Sequence, residues 1–185
     1  MTPHRLRFAE LSAKTMSALL ADDLDAARTE SGVELGELFV DDRAKWLWNY
    51  RLKQLETQPE AAGWIARAVL AESAEAESAE AAPAGAGPGE VVVGYAGYHG
   101  PPDADGMVEV GYTVDPQYRR QGFAKAILAA LIERAATEPA VRVVRATISP
   151  DNAASLATIA SFGFTQKGDQ WDEEDGLELI FERPA

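Results

Sequence analysis

The sequence predicts an α/β protein of one domain, with a mixed central sheet flanked by helices. Three observations carry that expectation. Seven short stretches alternate or run apolar as strands do, and four longer ones repeat apolar residues at helical spacing. They interleave as β-α-α-β-β-β-α-β-α-β-β, and the strand–helix–strand unit in the middle calls for a parallel crossover. The length, 185 residues, suits a single domain.

Each element has its own local reason. "HRLRFAEL" alternates, with Leu6, Phe8 and Leu11 turned inward. "SAKTMSALLADDLDAAR" reads as one helix capped by Ser12, with Met16, Leu19 and Leu20 as its buried stripe. "DDRAKWLWNYRLKQLE" reads as a second, with Trp46, Leu47, Tyr50 and Leu55 facing in. "GWIARAVLA" is a strand starting near Gly63. From about 72 to 89 the chain holds only Ala, Glu, Ser, Gly and Pro, too small or polar to anchor a core. Strands flank this segment, which makes it a flexible insertion within a hairpin.

"EVVVGYAGYHG" and "GMVEVGYTVD" are strong strands, the second stopped by Pro116, which cannot donate to a ladder. "GFAKAILAALIERAA" carries Phe123, Ile127, Leu131 and Ala135 at helical spacing, with Leu128 and Ile132 beside them. "VRVVRATI" is a strand. "NAASLATIASFG" is a short helix capped at Asn152 and ended by Gly163. "FTQKGDQW" and "LELIFER" close the chain as a hairpin around "DEEDG".

Composition removes several function classes. The formal net charge is −13, spread evenly: Met1–Gly89 holds 9 basic and 15 acidic residues, Glu90–Ala185 holds 8 and 15. Nucleic-acid backbones need basic faces, so that partner is not expected. Without cysteine there is no disulfide or thiolate nucleophile, and with only His4 and His99 no histidine-rich metal site is expected. No apolar run reaches the 18 or so residues of a membrane span, and the start shows no secretory h-region. The expectation is a metal-free cytoplasmic protein, monomer or homodimer.

Against that acidity, "DPQYRRQGFAKAIL" places Arg119, Arg120 and Lys125 around Gly122 at the mouth of a helix. The first helical amides lack intrahelical partners and sit at the positive end of the macrodipole. Glycine lets an anion approach the backbone, and the cations can pair with phosphate oxygens. The pattern is neither a P-loop nor the three-glycine dinucleotide fingerprint.

The stretch from Val108 to Phe164 resembles the core of the GNAT superfamily of acyl-CoA-dependent N-acetyltransferases. The motif Arg/Gln-x-x-Gly-x-Gly/Ala is met by Arg119, Arg120, Gln121, Gly122, Phe123 and Ala124, after Val114-Asp115-Pro116 and before Asn152, Ser155, Gly163 and Phe164. The resemblance implies acetyl-CoA as cosubstrate, its pyrophosphate on the Arg119–Lys125 turn and its pantetheine arm along Tyr112, Thr113 and Val114. Asn152 would touch the arm, and two strands would splay apart between "GYTVD" and "RATIS".

Direct attack of an amine on the thioester then needs a proton acceptor, an oxyanion donor and a group to assist the leaving thiolate. Glu109 is the expected base, an acid in an otherwise apolar strand, on one face with Thr113. A carboxylate there also occurs in the branch resembling ribosomal-protein N-terminal acetyltransferases. Pairing with an arginine such as Arg145 is the alternative role for Glu109, and His99 is the alternative base. The amide of Val114 suits the oxyanion. Many relatives place a tyrosine seven residues after the asparagine; here Ile159 stands there, leaving Ser155 as the nearest hydroxyl. Trp46, Trp48, Tyr50 and the acidic loop Asp172–Asp175 are expected to wall an acceptor pocket suited to a cationic amine. A cofactor-binding sensor without transferase activity is the rival reading.

Overall fold

Residues 4–72, 89–173 and 176–185 are described in a computed structural model of the chain. The elements are β1 (Leu6–Glu10), α1 (Ala13–Leu20), α2 (Leu24–Ser31), α3 (Asp42–Thr57), β2 (Arg67–Glu72), β3 (Glu90–Tyr98), β4 (Met107–Val114), α4 (Phe123–Thr137), β5 (Val143–Ile148), α5 (Ala153–Ile159), β6 (Thr165–Asp172) and β7 (Gly176–Pro184). The strands form one seven-stranded sheet in the order β1-β2-β3-β4-β5-β7-β6. Only β4 and β5, joined through α4, run parallel; every other neighbouring pair is antiparallel. The mixed α/β class and the strand positions therefore match the sequence reading.

Helices cover both faces of the sheet. On one face α4 lays Phe123, Ile127, Leu128, Leu131, Ile132 and Ala135 against Val108, Val110 and Val114 of β4, all buried. On the other, Met16 and Leu19 of α1, Ala27 of α2 and Trp48 of α3 pack with Ala68, Leu70 and Tyr95. Alternation along β2 serves both cores, Val69 and Ala71 facing one and Ala68 and Leu70 the other.

Two helix expectations need correction. The first helical stretch is two helices, because Asp22 turns left-handed at φ 60° and Asp23 restarts the chain as a cap, its carboxylate accepting from the Ala26 amide at 2.9 Å. The inward face of α3 is not the one expected. Trp46 and Tyr50 are 46% and 51% exposed, whereas Ala44, Trp48 and Arg51 are buried. Those three also lie at helical spacing, and the Trp48 indole N–H donates to the Phe39 carbonyl at 2.8 Å. A second hydrogen-bonded partner fixed the phase that apolar periodicity left open.

Strands β2 and β3 pair antiparallel from Arg67↔Ala96 to Glu72↔Glu90, on either side of the Ala/Glu/Ser/Gly/Pro segment. The expected flexible insertion, at residues 73–88, lies outside the described residues, as do the last two positions of the acidic loop.

The feature that positions the site is the end of the β4–β5 ladder. Pairing runs only from Met107↔Val143 to Glu109↔Arg145, yet β4 continues to Val114 and β5 to Ile148. The strands part beyond Glu109. The His99 amide donates to the Glu109 carbonyl and the Asp115 amide to the Val93 carbonyl, so the odd-numbered residues of β4 point their backbone groups at β3. By alternation the backbone groups of Tyr112 and Val114 point into the gap.

Candidate active site

A cavity of about 800 Å³ opens where β4 and β5 separate, within the usual size of a ligand site. Residues of α3, the ends of β3 to β5, α5 and the β6–β7 hairpin line it. Its two halves lie on the two faces of the sheet. Glu109, Gly111 and Thr113 face α3; Tyr112 packs on the α4 side, its hydroxyl hydrogen-bonding Ser155 and Thr158 of α5. Burial pushes the Tyr112 phenol up, and those hydrogen bonds pull it partly back.

At the fork three side chains line up across three strands. The Thr147 hydroxyl on β5 donates to Glu109 Oε1 at 2.5 Å. His99 Nδ1, at the end of β3, lies 3.3 Å from the same oxygen. The Glu109 carboxylate is only 15% exposed. Arg51 and Gln54 of α3 both donate to the His99 carbonyl at 2.8 Å, fixing that end of β3. In contrast to the Glu109 carboxylate, the histidine side chain is half exposed, opening on the cavity. Burial lowers its pKa from the ordinary 6.5, the Glu109 charge raises it and Arg51 lowers it, for a net fall. The imidazole is therefore a free base at neutral pH. Arg145, the expected alternative partner of Glu109, instead pairs with Glu182 across β7 at 2.6 Å. The carboxylate is left to Thr147 and His99.

On the cofactor side Gly122 adopts φ 93° as N-cap of α4, and no side chain caps the helix. A side-chain cap would occupy the amides an anion needs; its absence leaves them open. Arg120 holds φ 62°, which turns the backbone into this mouth, and its side chain, like that of Lys125, is exposed. Arg119 Nε donates to the Val114 carbonyl at 3.1 Å and so closes the end of β4. Phe123 is buried and presents only its backbone to the turn. His4 stacks on Phe123, with ring centroids 4.0 Å apart, and its Nε2 bonds the Gln121 carbonyl at 2.7 Å, a brace on the turn that sequence reading missed. Nothing local marks His4; the contact joins residues 117 apart.

The remaining expected residues are placed as follows. Thr113 pairs with Tyr95 of β3 and its hydroxyl bonds the Tyr95 phenol, so the free strand edge belongs to Tyr112 and Val114. Asn152 caps α5, its Oδ1 accepting from the Ser155 amide at 3.0 Å, and lines the cavity. Ile159 is buried at 4% exposure on the cavity wall. Of the three expected aromatics, Trp48 is core, whereas Trp46 and Tyr50 stack at the rim with centroids 5.6 Å apart. Trp171 faces them at 76% exposure, beside Asp172, Glu173 and Glu178.

These features — parted strands with one free backbone edge, leading to an uncapped glycine mouth of a helix — offer an extended ligand a strand edge and an anion a helix N-terminus. The family model for the acetyltransferase (GNAT) domain matches residues 26–165, and the chain belongs to that family. Acetyl-CoA is the cosubstrate the residues present fit. The chain is 33% identical over 73 residues to an uncharacterized N-acetyltransferase, YjdG, of Bacillus subtilis, which covers 40% of this chain and 44% of that one. It is 37% identical over 73 residues to L-2,4-diaminobutyric acid acetyltransferase of Streptomyces coelicolor, covering 39% and 43%. The chain thus spans less than half the length of these curated relatives. Among solved structures, a ribosomal-protein-alanine N-acetyltransferase from Brucella melitensis superposes with a TM-score of 0.54 at 27% identity, covering 98% and 99% of the two chains.

Proposed function

We propose that this protein transfers the acetyl group of acetyl-CoA to a primary amine of a cationic acceptor, by direct attack within a ternary complex. The observation that carries the reading is the parted β4–β5 edge running from the Glu109–His99 pair to the open N-terminus of α4. The amides and side chains of the Arg119–Lys125 turn hold the pyrophosphate. The free backbone of Tyr112 pairs with the pantetheine arm as an added strand, and the Val114 amide, whose carbonyl Arg119 already holds, donates to the oxyanion. Asn152 hydrogen-bonds the arm from the α5 side. The Glu109–His99 pair serves as proton acceptor, and Ser155, bridged to Tyr112, hydrogen-bonds the departing sulfur.

The rim supports the cationic acceptor. Flat, exposed Trp46 and Trp171 offer π faces, while Tyr50 backs Trp46 and carries the Arg51 guanidinium over its own ring; Asp172, Glu173 and Glu178 supply negative charge on the same wall. The names of two similar proteins, an L-2,4-diaminobutyric acid acetyltransferase and a ribosomal-protein-alanine N-acetyltransferase, support a small amine or a peptide N-terminus as the acceptors to try first. A thiol-release assay with acetyl-CoA against polyamines, diamino acids and an alanine-terminated peptide tests the reading. Turnover with at least one cationic amine is expected. Tight coenzyme A binding by calorimetry with no turnover on any amine would favour the sensor, the reading that Ile159 supports.

A further inference from the structure

We propose that His99, rather than Glu109, takes the proton from the acceptor amine, with Glu109 as the residue that positions it. This rests on the acetyltransferase reading above and goes beyond it in assigning the base. The argument is geometric. His99 stands across from Glu109 on β3, and its ring lies along β4 with one nitrogen at each end. Nδ1 meets Glu109 Oε1 at 3.3 Å, while Nε2 lies over Gly111, 3.1 Å from where a Cβ on that glycine would stand. The direction from Glu109 to Gly111 is the direction of the splay, toward Tyr112 and Val114. The imidazole therefore carries the basic end of the pair from Glu109 toward Gly111, in the direction of the splay.

The surroundings fix this orientation. Thr147 donates to Glu109 Oε1 from the opposite strand, so the carboxylate oxygen that receives Nδ1–H is held from both sides. Arg51 and Gln54 lock the His99 backbone through its carbonyl. With Nδ1–H donated to the carboxylate, the Nε2 lone pair is free. Gly111 makes room for the ring: a Cβ there would stand 3.1 Å from Nε2, close enough that the ring must give by a few tenths of an ångström. The charged groups facing the ring are Glu109 from β4, which raises its pKa, and Arg51 from α3, which lowers it; burial, the largest effect, makes the net shift a fall.

The step balances simply. The amine nitrogen forms the C–N bond and becomes cationic; Nε2 accepts its proton. The C–S bond breaks with its electron pair on sulfur, and the thiolate regains a proton from solvent. A base with a pKa under 6.5 suffices, because a nitrogen bonded to the tetrahedral carbon is far more acidic than the free ammonium.

The tests separate this from a carboxylate base. With only His4 and His99 present, long-range nitrogen–proton NMR spectra of the labelled protein, assigned with His4→Gln, report each tautomer directly. Wild-type His99 should carry its proton on Nδ1, and Glu109→Ala should move it to Nε2. Finding the proton on Nε2 in the wild type overturns the proposal, whether or not an amine substrate is in hand. In kinetics, His99→Gln should lose about 10²–10⁴-fold in kcat with the KM for acetyl-CoA unchanged. The fall of kcat through a pKa below 6.5 should vanish with it. Glu109→Gln, which still accepts from Nδ1, should lose much less than His99→Gln. Gly111→Ala should lower kcat without weakening acetyl-CoA binding. Equal losses in the two first variants, or full activity in His99→Gln, would return the base to Glu109. Wild-type inactivity on every amine would defeat the acetyltransferase reading, and the tautomer spectra would still decide the pair.

Discussion

The carboxylate of Glu109 shows how a residue's role depends on what its neighbours leave it. Sequence placed an acid in an apolar strand and offered an arginine across from it; Arg145 is indeed its register partner, but β7 supplies Glu182 to neutralise that arginine first. Thr147 then becomes the group that fixes Glu109. Thr147→Val keeps the shape and removes the donor, so it should cost about 1.5–3 kcal/mol, the worth of a hydrogen bond to a charged group, measured by urea unfolding. It should also lower kcat more than it raises the acetyl-CoA KM. A second expectation concerns packing. Trp48 is fully buried and its N–H is satisfied, so Trp48→Ala should cost about 3–5 kcal/mol by the same measurement, whereas Trp46→Ala at the rim should leave stability nearly unchanged.

At the scale of elements, the turn into α4 combines a strained residue with an open helix end. Arg120 sits left-handed at φ 62°, a region glycine occupies without cost. Arg120→Gly should therefore gain about 0.5–1 kcal/mol of stability, net of glycine's chain entropy, yet bind acetyl-CoA more weakly. Opposite signs in melting temperature and calorimetric affinity check this. The affinity lost should be greater at low salt than at high, because the lost contact is ionic. Equal loss at both would mean that Arg120 shapes the turn without touching phosphate. The helices also show which patterns read correctly from sequence. In α4 every apolar residue at helical spacing is buried, since the helix is apolar almost all round and any phase agrees. In α3 apolar and polar residues alternate too finely, and the phase was decided by Phe39, just before the helix, and Tyr95 of distant β3 packing on Trp48.

For the whole molecule, the dominant long-range term is charge. At −13 on 185 residues the folded chain repels itself, and few of the described ion pairs are well shielded from solvent. Salt should relieve that repulsion: the melting temperature at pH 7 should rise from low ionic strength to about 0.15 M, where the screening length is about 8 Å. A fall would show that the ion pairs outweigh the repulsion. Solubility should be poorest near the sequence pI of about 4.5, where the net charge vanishes.

What the sequence alone determined is local or repeating: the α/β class, the strands, the mostly apolar α4, the glycine mouth with its cations, and the caps at Ser12 and Asn152, whose side chains accept from the Thr15 and Ser155 amides. Each depends on residues within a few positions, where spacing is itself geometry. Only the tertiary structure decided the rest. The inward face of α3, the parting of β4 from β5 after Glu109, and the meeting of His99, Glu109 and Thr147 depend on contacts between separate elements. His99 and Thr147 lie 48 positions apart, and no spacing rule reaches that far. The sheet brings them together because neighbouring strands sit within about 5 Å of each other, whatever the length of chain between them.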